Sequence, residues 1–131
     1  MNLLLDTHAF IWFIEGNTTI SKKALSLIED KGNKIFVSII SLYEMAIKQK
    51  IGKLILSNTL QSFFVYAVAA KITMLPVSEG ALTEYNNVPL IGEHKDPFDR
   101  LIIATAIFEK LDIISIDAQF KNYSSLVNII W

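Results

Sequence analysis

Short apolar runs alternate with stretches whose apolar positions recur at helical spacing, a pattern that predicts strands alternating with helices. Leu3–Leu5 reads as a first strand and Thr7–Glu15 as a short helix ending before Gly16-Asn17. Ser21 is a good cap for a second helix, with Gly32 as its stop. Lys34–Ser38 reads as the second strand, followed by a helix that opens at Ser41 and runs to about Lys50. Ser57 or Asn58 starts a fourth helix through Ala70, and Ile72–Val77 is a third strand whose Pro76 places its end near an edge or turn. Ser78–Tyr85 is a helix weakened by Gly80, and Asn86–Lys95 is a loop. Pro97 sits at the first position of a long helix through about Lys110. Ile113–Ile116 is a fourth strand and Val127–Ile130 a fifth. With no linker, repeat or low-complexity tract, residues 1–131 read as one compact α/β/α domain.

Acidic residues punctuate this pattern. Asp6 closes the first apolar run, Glu44 follows the run from Ile35 to Tyr43, and Asp117 follows Ile116. Asp99 lies in the first turn of the helix that Pro97 begins. If the runs are parallel strands, their C-terminal ends share one rim, where open α/β sheets bind ligands. Carboxylates converging there stay ionised together only if a cation compensates them. Oxygen-only ligands suit Mg²⁺ or Mn²⁺.

A structural role competes at each position. Asp6 and Asp117 can each cap a following helix or turn. Ser41-Leu42-Tyr43-Glu44 has the form of a capping box, which would account for Glu44 without chemistry. Asp96 can cap the Pro97 helix and pair with Arg100 four residues on. Asp99 differs, because it shares a helix face with Ile102, Ile103 and Ala106. A carboxylate on a buried stripe is costly unless partners or a metal compensate it. His8 and His94 lack metal-ligand spacing and read as surface or helix residues. Lys48, Lys50 and Lys53, with Lys95 and Arg100, form either a phosphate-binding patch or a solvated face.

Bulk composition narrows the setting. A formal net charge of −1 gives no global basic field, so any nucleic-acid contact must be local. The hydrophobic fraction of 52% leaves apolar surface to spare and points to a partner or a homodimer. Phe63, Phe64 and Tyr66 are candidate contacts, with core packing favoured for at least one of them. Cysteine is absent, which excludes disulfides and thiolate metal sites. No apolar stretch reaches membrane-spanning length and no signal-peptide pattern opens the chain, so a cytoplasmic location is expected.

Four segments together resemble the PIN-domain ribonucleases, and within them VapC-like toxins of toxin–antitoxin pairs. They are Leu3-Leu4-Leu5-Asp6-Thr7-His8, Ser38-Ile39-Ile40-Ser41-Leu42-Tyr43-Glu44, the run from Asp96-Pro97-Phe98-Asp99-Arg100 to Ala106, and Ile114-Ser115-Ile116-Asp117-Ala118-Gln119-Phe120. The resemblance implies a PIN-like three-layer α/β/α sandwich around a parallel sheet. It implies that Asp6, Glu44, Asp99 and Asp117 form an acidic quartet holding Mg²⁺ or Mn²⁺. Ser115, Asp96 and Thr7 would support that site, and Lys48, Lys53 or Arg100 would steer the RNA backbone. The implied activity is endonucleolytic cleavage of RNA, with a cognate antitoxin as partner and a homodimer as the usual form. A DNA nuclease or phosphatase with the same quartet, and a non-catalytic binding module whose carboxylates are caps, are the alternatives.

Overall fold

A computed structural model describes residues 1–91 and 96–131. His94 and Lys95, the loop residue and the patch residue considered above, lie outside the described residues. The strands are β1 (Asn2–Leu5), β2 (Lys34–Ser38), β3 (Ile72–Leu75), β4 (Asp112–Ile114) and β5 (Ile129–Ile130). The helices are α1 (Thr7–Glu15), α2 (Lys22–Glu29), α3 (Ile39–Lys50), α4 (Leu60–Ala69), α5 (Glu79–Tyr85), α6 (Pro97–Glu109) and α7 (Ala118–Lys121). All strand pairs are parallel, in the order β3-β2-β1-β4-β5. The chain builds outward from β1 to β3, then returns to lay β4 and β5 on the other side of β1. The C-terminal ends of β1 and β4 therefore flank the point where strand order reverses, the crevice position of open α/β sheets.

Side-chain alternation along β1 explains why the sheet is covered on both faces. Leu3 and Leu5 enter a core with Ala9, Phe10, Leu42, Met45 and Phe63. Leu4, one residue out of phase, enters a second core with Ile102, Ile103, Phe120 and Tyr123. A parallel strand apolar on both faces is stable only between two helical layers. The result is the three-layer α/β/α sandwich expected from the sequence.

Local chemistry sets most element ends. Asp6 caps α1, and Gly16 ends it in the left-handed conformation (φ 66°) that favours glycine. Ser21 caps α2, whose last helical residue is Glu29 rather than one adjoining Gly32. Asp96 caps α6 and Pro97 occupies its first turn. Pro76 ends β3, which is an edge strand as Pro76 suggested. Gly80 weakens α5 less than expected because a Cβ there would strike the Phe108 ring of α6, so the glycine permits that close packing.

Three expectations are corrected. The helix placed at Ser41 begins at Ile39, capped by the Ser38 hydroxyl, which accepts from Ile40 N at 3.1 Å. Ser41 and Glu44 therefore form no capping box; Ile39 and Ile40 read as strand because a short apolar run does not distinguish a strand from a buried helix. The fourth helix begins at Leu60 with Thr59 as its cap, later than Ser57 or Asn58. β4 ends at Ile114 rather than Ile116, since the Ser115 hydroxyl turns toward Asp6. Among the described residues no helix is long and apolar enough to cross a membrane.

Candidate metal centre

Asp6 leaves β1 buried, with each carboxylate oxygen engaged. Oδ1 accepts from Ala9 N at 2.7 Å, the capping bond, and Oδ2 accepts from the Ser115 hydroxyl. Burial pushes its pKa up to about 6, even though the bonds from Ser115 and Ala9 pull it down. Capping and site membership are thus compatible: the cap fixes the carboxylate at the end of β1.

The Ser115 hydroxyl links one carboxylate, that of Asp6, to the backbone of Asp117. It donates to Asp6 and accepts from the backbone N of Asp117 at 3.1 Å. Asp117 is exposed and caps α7, accepting from Gln119 N at 2.8 Å. This hydroxyl ties the end of β1 to the residues that follow β4.

Glu44 is buried on α3 and held from both sides. Thr7 Oγ1 donates to its Oε1 at 2.7 Å, and Lys48 Nζ lies 2.7 Å from its Oε2. Thr7 also lies 3.0 Å from the Ser41 hydroxyl, so Ser41, misread as a helix cap, belongs to this buried polar network. The bond to Glu44 raises the Lys48 pKa, reinforced by the charges of Glu44, Asp96 and Asp99. Lys48 is therefore the cation that the cluster itself supplies. Lys48→Met is expected to remove this competitor and tighten Mn²⁺ binding several-fold in a calorimetric titration, since opposite charges within about 4 Å interact strongly at a partly buried site. Unchanged or weaker Mn²⁺ binding would show that Lys48 does not compete for Glu44.

Asp96 and Asp99 enter from the first turn of α6. Asp96 Oδ1 accepts from Phe98 N at 2.9 Å and Asp99 N at 3.1 Å, the expected cap. One ligand atom each from Glu44, Asp96 and Asp99 lie within 4.8 Å of one another. Asp99 is half-buried, and its pKa is pushed up to about 8, first by burial and then by Asp96, Glu44, Asp117 and Asp6. All the acidic candidates therefore act on Asp99. Among the described residues the trio brought together contains Asp96, read from sequence as a supporting residue, in place of Asp6 or Asp117. Burial and then four neighbouring carboxylates raise this carboxyl, which marks a concentration of negative charge. An all-oxygen donor set of this kind fits a hard divalent cation.

Arg100 is a correction. It is only 5% exposed. Nη1 donates to Pro89 O at 2.7 Å and Nη2 to Val88 O at 2.6 Å, while the guanidinium lies 5.1 Å from the Tyr85 ring centre. Its donors are turned to backbone carbonyls, and among the described residues it forms no ion pair with Asp96, so neither the pairing nor the RNA-steering role expected of it is supported. Among the described residues the ion pair formed is Lys48 with Glu44. Lys53 lies on the exposed turn after α3, and His8 is exposed beside Trp12.

The family model for the PIN domain matches residues 3–126. No curated protein matches the chain in sequence. Among solved structures, it is similar to VapBC2 from Rickettsia felis bound to a promoter DNA fragment, at 21% identity, with a TM-score of 0.69, covering 99% of this chain and 98% of that one. It is also similar to a toxin–antitoxin complex from Klebsiella pneumoniae, at 20% identity and a TM-score of 0.60, covering 98% and 96%. VapBC-1 from nontypeable Haemophilus influenzae matches at 17% identity and a TM-score of 0.64, covering 99% and 97%.

Proposed function

The chain belongs to the PIN domain family, and from that premise we propose that it is a Mg²⁺- or Mn²⁺-dependent endoribonuclease, the toxin of a toxin–antitoxin pair. The observation that carries this reading is the convergence of Glu44, Asp96 and Asp99 within 4.8 Å, at the rim where Asp6 and Asp117 also raise the Asp99 pKa. Asp6, Glu44, Asp99 and Asp117 would hold the metal directly or through water, with Asp96 close enough to join them. The bound ion would activate a water and neutralise charge on the phosphodiester in the transition state. Thr7 holds Glu44 in place, and Ser115 ties Asp6 to the Asp117 backbone. Lys48 offers the nearby cationic contact for a phosphate once it leaves Glu44.

The non-catalytic alternative draws support from one observation: Asp6, Asp96 and Asp117 each cap a helix. Among the described residues neither Glu44 nor Asp99 is the cap of a helix, and burying carboxylates among like charges is costly. A cleavage assay on RNA and on DNA, with and without Mg²⁺, separates these readings. Wild type should cut RNA only with the metal. Cleavage of DNA alone would favour the DNA-nuclease alternative, and no cleavage of either would favour the binding module.

A cognate antitoxin is the proposed partner and a cytoplasmic homodimer the proposed form. The toxin–antitoxin complexes among the structural neighbours support the first. The apolar outer face of α4 supports the second: Val65, Tyr66 and Val68 are exposed, Val68 at 77%. Phe63, by contrast, is core, packed edge-on against Phe10. Light scattering at micromolar concentration should give twice the chain mass; a monomer would remove the homodimer.

A further inference from the structure

Tyr43 precedes Glu44 on α3, and Phe98 precedes Asp99 on α6. Their rings meet edge to face across the two helices, with centroids 5.9 Å apart. Phe98 is half-buried, whereas Tyr43 is 58% exposed. The same helix pair carries the Glu44–Asp96–Asp99 cluster. A large ring is thus presented to solvent beside the carboxylates and buttressed by a second ring. Exposing it forgoes burial that an aromatic side chain normally gains.

We infer that Tyr43, propped by Phe98, is a stacking platform for one unpaired base of a nucleic-acid strand whose phosphate reaches the acidic cluster. This inference rests on the nuclease reading above and assigns Tyr43 a base-binding role within it. The charge balance supports it. With a formal net charge of −1, the chain has little capacity to gain affinity by neutralising many phosphates. Base–aromatic stacking supplies affinity without cationic residues and tolerates any base, because every base has a π-face. A duplex keeps its bases stacked internally, so only a loop, bulge or free strand can offer one to the ring. At an interplanar angle of 68° Phe98 covers at most one face of the Tyr43 ring, which is 58% exposed.

The test is steady-state cleavage of a single-stranded RNA by wild type, Tyr43→Ala and Tyr43→Trp. Tyr43→Ala should raise KM about tenfold, the order of one lost base stack, with kcat little changed. Tyr43→Trp should keep the wild-type KM. A substrate with one abasic nucleotide beside the cleaved bond should lose the same factor with wild type and nothing further with Tyr43→Ala. Mn²⁺ binding and the melting temperature of Tyr43→Ala should match wild type, because the ring contributes no metal-ligating oxygen to the cluster and is largely exposed. An unchanged KM, a fall in kcat alone, or equal losses on abasic and intact substrates by Tyr43→Ala would overturn the platform. So would weakened binding of an antitoxin with RNA kinetics intact, which would assign the ring to a protein partner. If wild type cleaves RNA and Tyr43→Ala behaves like it, this inference alone fails; if wild type cleaves no RNA, the nuclease reading fails with it.

Discussion

Asp99→Asn is expected to reduce metal-dependent RNA cleavage by about a hundredfold or more, at least the loss that follows removal of groups merely supporting metal ligands. The same substitution should raise the melting temperature of the metal-free protein. Burial first, and then four neighbouring carboxylates, push the Asp99 pKa up to about 8. An unfolded Asp releases its proton near pH 3.9. Between about pH 4 and pH 8 the unfolded chain has therefore lost a proton that the folded metal-free chain retains. Folding takes up a proton in that window, so raising the pH disfavours the folded state. Stability contributed by this group is fully present below about pH 4 and is lost as pH rises toward 8. Asparagine imitates the protonated form and should flatten this slope. After allowance for solvent screening, a gain of about 1–2 kcal/mol near neutral pH is expected, several degrees for a domain of this size. Thermal scans in EDTA across pH 5 to 8 check it. A lower melting temperature for Asp99→Asn would make Asp99 a structural carboxylate.

Metal should reverse the same slope. Binding requires ionised carboxylates, so each proton that the cluster retains competes with the ion. The Mn²⁺-induced rise in melting temperature should therefore be larger at pH 8 than at pH 5, because a ligand bound only by the folded state stabilises it by mass action. Lys48 works against the metal for a related reason, as its ammonium already occupies one side of Glu44.

The strands and the acidic rim were legible because their signals are local. Leu3–Leu5 is apolar on both faces, and an acid follows directly, so strand and rim position can be read together. Asp96 before Pro97 announced the start of α6 for the same reason. The start of α3 was not legible, because Ile39 and Ile40 fit a strand as well as a buried helix and Ser38 and Ser41 are equally good caps. That choice moves Ser41 from a helix end to a buried hydroxyl beside Thr7. The ring pair of Tyr43 with Phe98 was hidden as well, since its two residues are more than 50 positions apart in the chain. Asp96 shows the limit of weighing one role against another: its oxygen caps α6 and its carboxylate still lies within the acidic trio.

Arg100 misled because sequence gives its charge but not its direction. It follows Asp99 and was read as a group aimed at RNA or Asp96, yet the helix turns it to the opposite side. There it bonds the carbonyls of Val88 and Pro89 and reaches the Tyr123 hydroxyl at 3.4 Å. These contacts hold the segment after α5 against α6, and among the described residues they include no carboxylate. Arg100→Ala should therefore leave the buried Val88 carbonyl and the partly buried Pro89 carbonyl without this donor and cost about 3 kcal/mol, on the order of 10 °C in melting temperature. Arg100→Lys should recover little of it, because one ammonium does not reproduce the planar fork that reaches both carbonyls. The loss should be nearly independent of salt, since the group is shielded from solvent. A residue that steers RNA would behave oppositely: its removal would spare the melting temperature, raise KM and weaken the salt dependence of binding. Scans of both variants at low and high salt decide between these roles, and an unchanged melting temperature in Arg100→Ala would return the guanidinium to the substrate.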